Sequence, residues 1–266
     1  VGEPVRFRLE QEIDYTYTAP VRALHQRLVV VPRVAHGPQR RQSWNLVVDG
    51  AERARRRVVR DEFGNLTIEV LAERIESSVR FVLDTVVERA ARPELPRATA
   101  PDAFTAATSL TRPDDALRAL ADDVRPDCDP ADICALVHRS LAYEWGVTGV
   151  HTTAAEALAG GRGVCQDYAH VMLAVCRIVG LPARYVSGHL LGEGGSHAWV
   201  EVLRPMAGGR WAVAEAWDPT HDRPAGSNYL TVAVGRDYAD VAPLSGTYDA
   251  AGAVGTLRVQ KRLTAA

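Results

Sequence analysis

The stretch Gly161-Arg162-Gly163-Val164-Cys165-Gln166-Asp167-Tyr168-Ala169-His170-Val171-Met172-Leu173-Ala174-Val175-Cys176-Arg177-Ile178-Val179-Gly180 decides how this chain is read. Small and apolar side chains recur at Cys165, Ala169, Met172, Leu173, Cys176 and Val179, the three-and-four spacing of one buried helical stripe. Gly161 and Gly163 supply a permissive turn in front, and Gly180 followed by Pro182 is a stop signal behind. Cys165 therefore falls in the first turn of a helix, where unsatisfied N–H groups and the positive end of the helix dipole favour an anion. Such a position stabilises a thiolate. The same N–H groups can also face the oxygen of a carbonyl under attack.

Downstream, Ala183 to Leu190, His197 to Leu203 and Trp211 to Trp217 read as three strands, with Pro205, Gly208 and Gly209 marking the turn between the last two. An antiparallel hairpin with its tip between Ala207 and Gly208 makes paired residue numbers sum to 415, which sets His197 opposite Asp218. Directly opposed Cβ atoms lie about 4.5–5.5 Å apart. In this register Asp218 orients the imidazole, and His197 serves as base for the thiol and then as acid for the leaving group. A thiol followed by a histidine and a carboxylate is the minimum equipment for nucleophilic acyl chemistry. The rival reading of Asp218, next to Pro219, is a turn former.

The segments GRGVCQDYAHVMLAVCRIVGLPARYVSGHL, SHAWVEV, EAWDPTHDRP and VAVGRDYADVAPLSGTY, in that order, resemble the bacterial transglutaminase-like proteins of the papain-like cysteine enzyme superfamily. The first ninety or so residues resemble the small β-sandwich domain that often precedes this core, including Tyr15-Thr16-Tyr17 and Asp61-Glu62-Phe63-Gly64-Asn65. The resemblance implies an α+β fold in which a helix carrying Cys165 packs on an antiparallel sheet carrying His197 and Asp218. It places the all-β sandwich in residues 1–92 and the transglutaminase-like catalytic domain in residues 93–266. Residue by residue, it implies Cys165 as nucleophile, His197 as base and Asp218 as orienting acid. The implied reaction is thiol-dependent attack on an amide, peptide, ester or thioester carbonyl through an acyl-enzyme. Members of the superfamily include proteases, amidases and ligating enzymes, so water and an amine both stay open as acceptors. Three positions depart from the pattern, with His189 where tyrosine is usual, His221 where asparagine is common and Tyr229 where histidine is frequent. None of them is expected to touch the triad.

With 266 residues, a formal net charge of −2 and 47% apolar content, the chain suits two modest domains and no polyanion partner. The sequence has no apolar run long enough to span a bilayer and no secretory leader, although Val1 suggests a trimmed start. The expected partner is a peptide, protein or small amide or thioester substrate, with neither nucleic acid nor membrane. Four cysteines raise the disulfide question. Cys165 and Cys176 on one helix are separated by about 16 Å, too far to bridge, and Cys128 and Cys134 could meet only across an irregular first turn. A reduced, cytoplasmic protein with Cys176 as a core residue is expected.

From Val5 to Glu88 the alternation is β-like, with Arg53, Arg55, Arg56, Arg57 and Arg60 read as a solvated strand face. A Pro- and Ala-rich connector runs from Arg92 to Pro113, and Phe104 to Leu110 is expected against the core. Helices are predicted over Asp114–Asp123, Asp129–Tyr143 and Thr153–Leu158, capped by Asp129 and Thr153 in the last two cases. Gly255 to Leu263 alternates like a strand returning to a sheet. Trp145 and Trp199 read as core side chains, with a pocket wall as the alternative. Asp167 and His170 are structural, pairing with each other or capping the loop. Gln166 either contributes to the oxyanion site or faces solvent. The loop Gly192-Glu193-Gly194-Gly195 forms a mobile rim, and Arg236-Asp237-Tyr238 supports the site.

Two other readings compete with this one. Cys165, His189, His197 and His221 could supply metal ligands, but their spacing matches no short ligand motif, and no acidic loop suits Ca²⁺, so no metal or cofactor is expected. A non-catalytic binding or assembly module is the alternative function, because a fold does not guarantee turnover.

Overall fold

The computed structural model describes residues 3–51, 53–91, 94–99, 101–124, 129–208, 210–250 and 252–265. Cys128, Arg92, Pro93 and Gly209, used in the reading above, lie outside the described residues. The fold is α+β. Alternating residues in the first ninety positions build two antiparallel sheets. One has the order 255–265, 5–17, 78–89, 39–49, 35–36, and the other the order 244–249, 21–28, 66–75, 55–60. Ile13, Leu24, Leu28, Ile68, Phe81 and Leu83 close the space between them with almost no exposed area. The arginine-rich strand Arg55–Arg60 is an edge strand with a mostly exposed face. That is the solvated role its charges require.

The two sheets take strands from both ends of the chain. Gly255–Ala265 pairs along the whole of Val5–Tyr17, and Leu244–Asp249 pairs with Val21–Leu28. The sequence reading saw the last strand but assigned it to the second domain. Strand alternation tells which face is buried and carries no information about the sheet that receives it.

In the second half, Cys165–Ile178 forms a helix ended by a Schellman motif. Gly180 has φ +79°, its N–H reaches Arg177 O at 3.1 Å, and the Leu181 N–H reaches Cys176 O at 2.8 Å. The helix is buried all round from Asp167 to Arg177, more than the single stripe predicted. It has neighbours on every side, because Asp115–Asp122, Pro130–Ser140 and Ala154–Gly160 pack around it and the core sheet closes the rest. Arg177 is tolerated there because its guanidinium donates to Phe104 O, Thr111 Oγ1, Ala183 O and Arg236 O. Phe104 and Leu110 are buried as expected.

The predicted helix Asp129–Tyr143 stops at Ser140. Ala142–Tyr143 instead pairs in parallel with Arg162–Gly163, with Ala142 N–H to Gly161 O and Glu144 N–H to Gly163 O both at 2.9 Å. A backbone that docks on the loop before Cys165 cannot continue as helix. No helix among the described residues is long and apolar enough to cross a membrane.

The core sheet has the order 223–224, 211–218, 197–205, 183–190, 229–235, all antiparallel. Its outer strand, Tyr229–Gly235, is covered by the sandwich through two buried side-chain amides. Gln39 exchanges both hydrogen bonds with the Thr231 backbone, at 2.8 and 2.9 Å, and Asn65 does the same with Val234. Each amide stands in for one residue of a neighbouring strand, so the edge is satisfied without a further ladder.

Candidate active site

Among the described residues, four of the five α-helices are capped at the N-terminus by a side chain: Asp114, Asp129, Thr153 and Asp237. The helix Cys165–Ile178 is the exception, since its cap residue is Val164 and no side chain accepts a bond there. Its first N–H groups are therefore left for an incoming anion or oxyanion. The loop is fixed from the other side. Asp167 reaches back to accept the Val164 N–H at 2.7 Å and the Thr148 hydroxyl at 2.6 Å, half of a capping box. Burial pushes the Asp167 carboxyl upward, while those two bonds pull it down. Of the two structural roles read for Asp167, capping is the one observed, and His170 accepts the Tyr238 N–H at 3.2 Å.

His197 and Asp218 are both buried, and His197 Nε2 lies 2.7 Å from Asp218 Oδ2. The contact forms in a register other than the one predicted. Pairs such as Val200 with Trp217 and Pro205 with Ala212 sum to 417, not 415. The centre of the connection falls one residue later, just past Gly208 at φ +91°, and Met206 N–H bonds Trp211 O at 2.7 Å. Because the offset is even, both side chains remain on one face and meet diagonally. Asp218 is also a turn former: its Oδ1 takes the Thr220 N–H at 2.9 Å while Oδ2 takes the imidazole. The carboxylate thus contacts His197 and closes the turn at once.

Cys165 and His197 line one pocket of about 360 Å³ with Trp145, Val150, Tyr185 and Tyr238. With His197 Nε2 committed to Asp218, the Nδ1 edge is the one left for the thiol. Burial disfavours the imidazolium, but hydrogen bonds and charge from Asp218 and Cys165 outweigh it and raise His197 to about 10. Burial likewise opposes ionisation of Asp218, and its bonds from His197, Tyr229 and His221 hold it well below the usual carboxylate range.

Two of the three departures from the family pattern touch Asp218 directly, contrary to the sequence reading. His221 Nδ1 and the Tyr229 hydroxyl each lie 2.7 Å from Oδ2. The tight turn after Asp218 folds His221 back from three residues away, a spacing that was available as a signal. Tyr229 comes from the outer strand, through pairing that sequence does not display. His189 is buried and brought down to about 3, chiefly by desolvation, with Nδ1 3.2 Å from Gly195 O. Trp199 is core as predicted, whereas Trp145 is 82% exposed and stands at the pocket rim. Its loop, residues 146–152, carries too few apolar neighbours to bury an indole. The Gln166 amide is spent on Gly149 O at 3.3 Å. Arg236 pairs with Asp240 at 2.9 Å and Asp237 caps the following turn of helix, so this run supports the site by internal bonds. His197, Asp218 and His221 also bring ligand atoms within 4.8 Å of one another, a possible cation cluster.

The α+β fold, with a buried His–Asp pair on its core sheet, agrees with the class that comparison with known proteins gives. Residues 107–216 match the transglutaminase-like superfamily core, and residues 7–88 match the bacterial transglutaminase-like N-terminal region. The chain belongs to this bacterial transglutaminase-like family. It is 30% identical to an uncharacterized protein of Mycobacterium tuberculosis, over 91% of this chain and 87% of that one. An uncharacterized protein of Mycobacterium leprae is 47% identical over 42% of each chain. The crystal structure of a candidate cysteine protease from Cytophaga hutchinsonii superposes with a TM-score of 0.77 at 19% identity, over 99% of this chain and 91% of that one. At that identity the likeness speaks for the fold alone.

Proposed function

We propose that the protein is a cysteine-dependent acyl-transfer enzyme acting on an amide, peptide, ester or thioester carbonyl, with Cys165 as nucleophile, His197 as base and acid, and Asp218 as orienting acid. The observation that carries this reading is the His197 imidazole, held by Asp218 at one nitrogen and sharing a pocket with Cys165 at the uncapped start of a helix. In the first half-reaction the Cys165 sulfur attacks the carbonyl carbon, and the oxyanion is met by the backbone N–H of Cys165. The C–N, C–O or C–S bond then breaks as the imidazolium gives its proton to the leaving group, which leaves a thioester. In the second, His197 takes a proton from water or an amine, that nucleophile attacks the thioester, and the sulfur departs. Asp218 keeps one ring nitrogen protonated throughout, so the other is always the reacting one.

Membership in the transglutaminase-like family supports acyl chemistry in general. The choice between hydrolysis and ligation belongs to the proposal, as does a cytoplasmic setting, which the free thiols of Cys134 and Cys165 suit. Mass spectrometry of the intact protein after exposure to a panel of amides, peptides and thioesters tests it directly. A covalent adduct on Cys165 is expected. It should vanish in Cys165→Ala and form on the order of 10³–10⁴-fold more slowly in Asp218→Asn. No adduct with any carbonyl donor, and biological function intact in Cys165→Ala, would favour the non-catalytic module instead.

A further inference from the structure

The segment that shares a pocket with Cys165 is apolar where water would favour polar side chains. Tyr143, Trp145, Val147 and Val150 are all exposed, Trp145 by 82% and Val150 by 48%. Single exposed apolar residues are ordinary, but four within eight positions beside a cavity call for an occupant. The backbone holds them in place. The Ala142 and Glu144 N–H groups bond Gly161 O and Gly163 O at 2.9 Å, in the loop before Cys165. Further on, the Thr148 hydroxyl bonds Asp167 Oδ2 at 2.6 Å, and Gly149 O accepts the Gln166 amide at 3.3 Å, both in the first turn of the helix. An apolar group that meets Trp145 and Val150 therefore meets a surface already ordered.

The rest of the lining narrows what that group can be. Trp145, Tyr185 and Tyr238 supply aromatic rings and Val150 a branched aliphatic side chain around about 360 Å³. That volume is at the small end of ligand pockets, which run from about 300 to 1,000 Å³. No Asp, Glu, Lys or Arg is among the described residues that line it, so His197 and the thiol are the acid–base groups there. A charged His197 and the uncapped N–H groups at the helix start serve the thiolate and the oxyanion in acyl chemistry. A further charge on the donor, of either sign, would lose its water and find no partner in this lining. An uncharged ring would instead stack on the indole.

We propose that Trp145 and Val150 form the recognition wall for an acyl donor that carries an uncharged apolar group, aromatic for preference, beside the reacting carbonyl. The inference rests on the acyl-transfer reading above, in which Cys165 is the nucleophile, and it names the class of donor. Trp145 has no proton to give or take in that reaction. Its part is selection among donors, through the area of indole that a bound group covers.

Two probe series test this on the full chain, read by mass spectrometry of the intact protein and with every rate taken relative to free cysteine. The first is a set of thioesters of one leaving thiol with acetyl, phenylacetyl or succinyl groups. Each acylates the Cys165 sulfur, and the departing thiol takes the proton. The second is bromoacetone, 2-bromoacetophenone and bromopyruvate, which alkylate the thiolate with loss of bromide and need no acyl chemistry. In both series the aromatic probe should react at least about tenfold faster than the small one, and the anionic probe slowest. Trp145→Ala should lower the aromatic-to-small ratio by about two- to tenfold, and Trp145→Phe should restore most of it. Val150→Lys should raise the anionic probe over the small one by about fivefold. Ratios are the readout because a change in the thiolate fraction affects every probe of a series alike. Equal relative rates for aromatic and small probes, or an unchanged ratio in Trp145→Ala, overturn the recognition wall, and acyl adducts formed without preference leave the acyl chemistry standing. Selectivity among the bromoketones with no adduct from any thioester does the reverse: it supports the apolar wall and removes the acyl reading.

Discussion

The Tyr229 hydroxyl donates to Asp218 Oδ2 at 2.7 Å, although two strands of the core sheet separate the residues. Tyr229 is 3% exposed, and its ring packs at 5.3 Å from Trp199 and 6.0 Å from His197, so the hydroxyl has a fixed direction. Tyr229→Phe removes one of three side-chain donors to Oδ2 and leaves both imidazoles in place. Hydrogen bonds to charged groups are worth about 1.5–3 kcal/mol, and a loss of that size is expected in urea unfolding at pH 7. An unchanged unfolding free energy would show that the third donor is redundant.

How much of this was legible in the sequence follows from the range of each interaction. The helix Cys165–Ile178 and the three strands after it were readable because periodicity, glycine stops and strand alternation are local signals. The His197–Asp218 contact was readable in part: parity survived an error of two in the register sum, since an even slip does not change the face. Tyr229 and the docking amides of Gln39 and Asn65 were not readable as partners of the site. Each depends on which strands become neighbours, and a side chain such as Asn65, 169 residues from Val234, gives no local sign of its target.

Stability should depend on pH through His197. Its folded value, about 10, lies above the ordinary 6.5, so the ring binds its proton more tightly in the folded state. That contribution is complete below pH 6.5 and is lost as pH rises toward 10. Asp218 works in the opposite sense, its contribution being present above the ordinary 3.8 and lost on acidification. Urea unfolding of the wild type and His197→Gln across this range provides the check. The gap between them should be widest near pH 4–6.5 and narrow steadily toward pH 10. A gap that is constant with pH would mean that packing, not charge, makes the contribution of His197.

Asn65 links the sandwich to the active-site sheet. Its amide accepts the Val234 N–H at 2.9 Å and donates to Val234 O at 2.8 Å, and it is wholly buried. Asn65→Ala leaves both backbone groups, and Arg33 Nη1, without that partner. Each orphaned buried group costs about 1–3 kcal/mol, so the variant should lose several kcal/mol, with hydrogen exchange at Val234 rising at least tenfold. Asn65→Asp, which keeps the acceptor but turns a buried carboxylate oxygen toward Asp61 Oδ2 and Val234 O, should not restore wild-type stability. Wild-type exchange at Val234 in Asn65→Ala would show that the strand Tyr229–Gly235 holds its place without the sandwich.

Gly163 controls the loop that leads into Cys165. A Cβ there would stand 2.5 Å from Asp167 Oδ2 and 2.7 Å from Asp167 Cβ, closer than such atoms pack. Asp167 cannot retreat without giving up the Val164 N–H and the Thr148 hydroxyl, and its side chain is wholly buried. Gly163→Ala is therefore expected to cost about 1–3 kcal/mol from overpacking and to shift Cys165 at the helix start. A displacement of about 1 Å in a reacting group can cost up to 10²-fold in rate, so slower alkylation of Cys165 by iodoacetamide should accompany the loss. Gly160→Ala is the matched control, because an added Cβ meets nothing within 4 Å and the residue ends the helix Ala154–Gly160. That change should be neutral or stabilise by up to about 1 kcal/mol through the unfolded chain, with alkylation unaltered. If the two variants behave alike in both assays, contact with Asp167 is not what keeps position 163 a glycine.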